Sequence, residues 1–113
     1  MMNEQIFSKE QDHPGTFLPF YLPNWQLRAT PPVYKLIRTF ELSNAMDARN
    51  FAAKVISAAF AHGRQPNVHI YRRWVCVVWR IPMERGLSIN EVVLPTAIDE
   101  IYKQWAVVRK QAA

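Results

Sequence analysis

The sequence predicts an α+β domain: a four-stranded antiparallel sheet with helices packed on one face, in the order β-β-α-β-β-α. Two observations predict it. β-rich runs come in neighbouring pairs, around 24–42 and 68–81, each pair broken by only a few turn-forming or polar residues. Apolar residues recur at helical spacing over 48–62 and again over 92–108. Strands thus arrive in pairs and helices between and after them, which favours an antiparallel sheet carrying its helices on one side.

Residues 1–22 read as an N-terminal tail or arm, and 23–113 as a single domain. The stretch Lys9 to Gly15 is polar and ends in Pro14-Gly15, a turn signal. Phe17-Leu18-Pro19-Phe20-Tyr21-Leu22-Pro23 is strongly apolar, but its prolines exclude a helix or a central strand. Such a segment lies extended, either over its own domain or against a partner.

A short strand is expected from Asn24 to Arg28, begun by Trp25, and Thr30-Pro31-Pro32 reads as a turn or stiff connector. From Val33 to Leu42 an imperfect alternation rich in β-formers predicts the second strand. Ser43-Asn44 offers an N-cap with Asp47 three residues after Asn44. Ala48, Phe51, Ala52, Val55, Ala58, Ala59 and His62 then recur at helical spacing, and Gly63 stands where a helix ends in a left-handed residue. The first helix is placed at 45–62, with an alanine-rich face that allows close approach to a sheet.

Val68 to Tyr71 and Trp74 to Ile81 are the third and fourth strands, with Arg72-Arg73 as the hairpin turn, although the usual Asn-Gly signal is missing. The fourth strand is apolar on both faces and belongs at the centre of a sheet or at an interface. Ser88 and Glu91 form a capping box for the last helix. Val92, Thr96, Ile98, Ile101, Tyr102, Trp105 and Val108 give it one broad apolar face. Pro95 falls inside it and must bend it or leave a carbonyl without its partner; a start after Pro95 would waste the capping box.

With 113 residues there is material for one small domain, and half of the residues are hydrophobic. The single cysteine, Cys76, excludes a disulfide framework and a multi-cysteine zinc site. The start, Met1 to Gln5, has no leader-like pattern, and no apolar run approaches the ~20 residues of a membrane span, so a cytoplasmic protein is expected. The net charge is +5, and no acid falls between Asp47 and Glu84, where Arg49, Lys54, Arg64, Arg72, Arg73 and Arg80 lie. A face built from this stretch suits an anionic partner, or is a solvated basic surface with none.

The order of elements and several residues resemble the pterin-carbinolamine dehydratase family from about Trp25 to Tyr102. Trp25 matches the family's opening Trp, and Arg38-Thr39-Phe40-Glu41-Leu42 its Arg-x-Phe-x-Phe strand, with Leu42 for the second Phe. Ala48, Phe51 and Val55 match its helix, Gly86-Leu87-Ser88 its later helix start, and Ile98-Asp99 its Ile-Asp pair. The resemblance implies self-association as a homodimer or homotetramer. An uncovered strand as apolar as Trp74 to Ile81 also favours association.

The family's active-site signature is Glu-x-x-x-His-His-Pro followed by a Thr-His pair at the end of a later strand. Here Pro66 survives, Phe60 stands for the glutamate, Arg64 and Gln65 for the paired histidines, and Ile81 or Pro82 for the last histidine. Dehydration of a carbinolamine needs one proton delivered and one removed, work suited to an imidazole. A guanidinium does not serve as a base, and an amide does not titrate. The residue pattern therefore carries the expectation that the chain is not an enzyme, with no catalytic residues, cofactor or metal. His62 and His69 read as capping or surface residues, and His13 is isolated. No phosphate loop, nucleophile elbow or metal spacing is present.

Arg64, Gln65, Arg72, Arg73, Trp74 and Arg80 are the candidate protein-binding residues, since arginine and tryptophan are enriched at binding hot spots. Trp79 has the same chemistry but reads as core. Family members without the histidines are associated with assembly of RuBisCO, some with the α-carboxysome. The resemblance thus implies an assembly factor or chaperone that binds RuBisCO subunits, cytoplasmic or carboxysome-associated. The alternatives are a diverged dehydratase and a dimerisation cofactor of a transcription regulator. No membrane partner is expected, and no nucleic-acid motif is present.

Overall fold

A computed structural model describes the backbone of residues 22–112 and the side chains of residues 22–88 and 90–105. The expected tail, all but Leu22, and His13 lie outside the described residues.

Four strands form one antiparallel sheet: β1 (Gln26–Thr30), β2 (Val33–Glu41), β3 (Asn67–Tyr71) and β4 (Trp74–Pro82), in the spatial order β1-β2-β4-β3. The helices are α1 (Ala45–Ala61) and α2 (Val93–Ala112), and a 3-10 turn, Ile89–Val92, leads into α2. The architecture is the expected α+β one, and β4 is central, as its apolar residues on both faces require.

Alternation along the strands decides which face is covered. Val75, Val77, Trp79 and Ile81 of β4 are buried beside Leu36 and Phe40 of β2. The helices supply the other half of the core. From α1 come Ala48, Phe51, Ala52, Val55 and Ala59, and from α2 Leu94 and Ile98. Phe51 is the hub, with ring centroids 4.9 Å from Phe40 and 5.7 Å from both Tyr102 and Trp105. Leu22 is also in this core. The opposite face of the sheet carries no buried residue among those described.

Local chemistry sets the ends of α1. The Asn44 side chain accepts a hydrogen bond from the Asp47 N–H at 2.8 Å, as the cap predicts. At the other end Gly63 takes φ of 69°, and the Arg64 N–H returns to the Ala59 carbonyl at 2.9 Å.

The entry to α2 differs from the sequence expectation. The Ser88 side chain makes no capping bond, and Glu91 is buried and turned toward arginines instead. The α-helical ladder starts only at Val93, so Pro95 sits in the first turn, where its missing N–H has no partner to lose. The tighter winding of the 3-10 turn shifts the phase of the helix it leads into. Leu94 and Pro95 are buried, whereas Thr96, expected on the inner face, is exposed. Among the described residues no helix is long and apolar enough to cross a membrane.

Candidate functional site

The positions that match the dehydratase signature gather where α1 ends and β3 begins. Phe60, Arg64 and Gln65 line a groove of about 390 Å³ with Ile56, Pro66, Asn67 and Val68. Phe60 stands 78% exposed on its rim. The other two positions are elsewhere: Ile81 is fully buried opposite Tyr34, and Pro82 ends β4 opposite Val33.

Behind the groove lies a polar cluster. The Arg64 guanidinium sits 5.3 Å over the Trp79 ring, and its Nη1 is 3.6 Å from Glu91 Oε1. Arg85 Nη1 donates to Glu91 Oε2 at 3.4 Å. Glu91 is 5% exposed and Trp79 4%. Glu91 Oε1 and the Trp79 indole N–H have no hydrogen-bond partner among the described residues. A buried polar atom without a partner is costly, so Glu91 and Trp79 are the two positions of this cluster whose burial the packing alone does not explain. Glu91 is the residue that sequence reasoning missed. Its pattern, Ser-x-x-Glu before a helix, also describes a cap, and only the conflict with Pro95 signalled otherwise.

The proposed binding residues fall into three places. Arg64 and Gln65 are in the groove. Arg72, Arg73 and Trp74 form the β3–β4 turn and line a second depression of about 450 Å³ with Ser43, Asn44 and Ala45 at the start of α1. β3 separates these two places by about 14 Å. Arg80 is on the open face of the sheet, paired in register with Lys35.

The turn has its own geometry. Tyr71 and Trp74 pair across it, and Arg72 takes φ of 56°. Arg72 lies 5.3 Å over the Tyr71 ring and Arg73 5.9 Å over the Trp74 ring, while Arg73 also pairs with Glu41. Trp74 is 39% exposed. His62 is exposed at the end of α1, with Nδ1 2.9 Å from the Ala58 carbonyl, and His69 is exposed on β3. No group of three His, Cys, Asp or Glu stands together to hold a metal among the described residues.

No family model matches the chain. Curated relatives do. A Methylococcus capsulatus protein provisionally named a pterin-4-alpha-carbinolamine dehydratase is 31% identical over 81 residues, which span 72% of this chain and 69% of that protein. A Chlorobium luteolum protein with the same provisional name is 28% identical over 85 residues, 74% of this chain and 73% of the relative. The chain belongs to the pterin-4-alpha-carbinolamine dehydratase family. Among solved structures, a pterin dehydratase-like protein described as a RuBisCO assembly factor in the alpha-carboxysome superposes with a TM-score of 0.59 at 16% identity, over 73% of this chain and 93% of its own. A transcriptional coactivator/pterin dehydratase from Brucella melitensis superposes with a TM-score of 0.62 at 16% identity, over 80% and 97%. At such identity the two structures establish the fold.

These relatives correct one expectation. The sequence reading that the chain is not an enzyme is overturned by relatives that bear an enzyme's name over most of their length.

Proposed function

We propose that the chain acts as an assembly factor for RuBisCO, linked to the α-carboxysome, and grips an acidic client surface with its β3–β4 turn. The observation that carries this is Arg72 at φ of 56°. A tight hairpin turn calls for positive φ, which glycine and asparagine adopt readily. An arginine held there costs of order 1–3 kcal/mol. Retaining it, followed by Arg73 and the half-exposed Trp74, favours a turn kept for binding. The likeness to the assembly-factor structure supports the identity of the client. Self-association as a homodimer or homotetramer belongs to the same reading, supported by β3, a sheet edge unpaired among the described residues.

The test is retention of RuBisCO subunits on the immobilised full chain, followed by native mass spectrometry. Retention by the parent and at least about a five-fold loss in Arg72→Glu/Arg73→Glu is expected. Equal retention by the variant removes the turn from the proposal. Absence of RuBisCO from the parent's eluate removes the client, and a DNA-binding protein in its place would favour the transcription-cofactor role.

A second reading, dehydration of a pterin carbinolamine, is favoured by the relatives' names and by the buried Glu91 carboxylate behind the groove. The two readings do not exclude each other. Turnover above background that falls at least about a hundred-fold in Glu91→Gln supports it. Background turnover by the parent chain rejects it.

A further inference from the structure

Three cations stand in one row across the open face of the sheet. The β1–β2 register sets Arg28 opposite Lys35, and the β2–β4 register sets Lys35 opposite Arg80. Side chains paired in this way have Cβ atoms about 4.5–5.5 Å apart, where like charges repel. Among the described residues none of the three has an ion-pair partner; Glu41, Glu91, Asp99 and Glu100 all pair with other cations. The neighbouring rows are apolar at their middle, on β2 and β4, with Val33 opposite Pro82 on one side and Ile37 opposite Val78 on the other, and polar toward the sheet edges, where Thr30, Gln26 and Asn67 continue them. The result is a cationic bar about 10 Å wide between two apolar steps. It lies about 20 Å from the β3–β4 turn along β4.

We propose that this row is a docking surface for an acidic protein segment. The segment's carboxylates bridge Arg28, Lys35 and Arg80 and cancel their repulsion, and its apolar side chains rest on Ile37 and Val78. Charge complementarity chooses an anionic occupant, and the apolar steps choose protein over nucleic acid. Three cations release only about three counterions from a polyanion, which gives weak binding by that term alone. A phosphate backbone also has nothing to place on Ile37 and Val78. This surface rests on the assembly-factor reading for the identity of the client, but not for the chemistry of the contact.

The test uses the full chain, a fluorescent poly-L-glutamate and a poly-U of the same charge, read by anisotropy across a salt series. Poly-L-glutamate is expected to bind, and Arg28→Gln/Lys35→Gln/Arg80→Gln to bind it about ten-fold more weakly. Unchanged binding by that triple variant overturns the proposal, and so does tighter binding of poly-U than of poly-L-glutamate by the parent. The ligand-free triple variant gives an independent readout. Relief of like-charge repulsion raises its Tm by about 2 °C or more. A lower Tm means that the chain already neutralises the row and likewise overturns the proposal. If RuBisCO is not retained by the parent while poly-L-glutamate binding still depends on the row, the client is wrong and the surface stands. If RuBisCO is retained equally by parent and triple variant, and poly-L-glutamate binding does not depend on the row, the surface is wrong and the client stands.

Discussion

Arg38 on β2 donates to Asp99 on α2 at 2.7 Å, across 61 residues of chain. The same carboxylate accepts from the Trp25 indole at 2.9 Å, so one acid ties the residue just ahead of β1 and the sheet to the last helix. The guanidinium is in addition stacked 4.4 Å from the Phe40 centroid and 5.3 Å from that of Tyr102. Asp99→Ala would leave this half-buried cation unpaired and the indole without its acceptor. The expected loss is about 2–4 kcal/mol by urea unfolding. Asp99→Asn keeps an acceptor and loses less.

The Arg64–Glu91 contact predicts an asymmetry. Glu91 is buried, whereas Arg64 and Arg85 can turn to solvent. Arg64→Ala strands part of a buried carboxylate and costs about 1–2 kcal/mol. Adding Glu91→Leu removes the stranded charge and recovers most of the loss. Additive losses in this double-mutant cycle would contradict the pairing.

At the β3–β4 turn, Arg72→Gly relieves the left-handed backbone. Its urea midpoint rises by the equivalent of about 0.5–1 kcal/mol, after the flexibility gained by the unfolded chain is subtracted. On the proposed function the same variant retains less RuBisCO, so stability and retention move in opposite directions.

Two phenylalanines on α1 separate packing from exposure. Phe51 is fully buried among three aromatic rings, and Phe51→Ala costs about 3–5 kcal/mol. Phe60 is mostly exposed, and Phe60→Ala shifts the unfolding midpoint by no more than about 0.5 kcal/mol.

Much of the fold was legible because its causes are local. Asn44 and Gly63 bound α1 through bonds within a few residues, and the continuous apolar run of β4 assigns it to the middle of a sheet, although which of its faces turns inward shows only in the burial of Val75, Val77, Trp79 and Ile81. The start of α2 was not legible, because the destination of Glu91 was settled by Arg64, 27 positions earlier in the chain, and by Arg85 from the neighbouring loop. A carboxylate that can reach two guanidiniums leaves the helix cap, and the ladder begins later.

The site divides in the same way. The amino-acid sequence by itself determined the α+β class, the family signature and the replacement of its histidines, since residue types and their spacing carry these. Only the tertiary structure decided which cations share a place. Arg64 and Arg72, eight positions apart, stand at opposite ends of β3, while Arg28 and Arg80, fifty-two apart, flank Lys35 in one row. Strand register, set by burial of the other face, makes those neighbours.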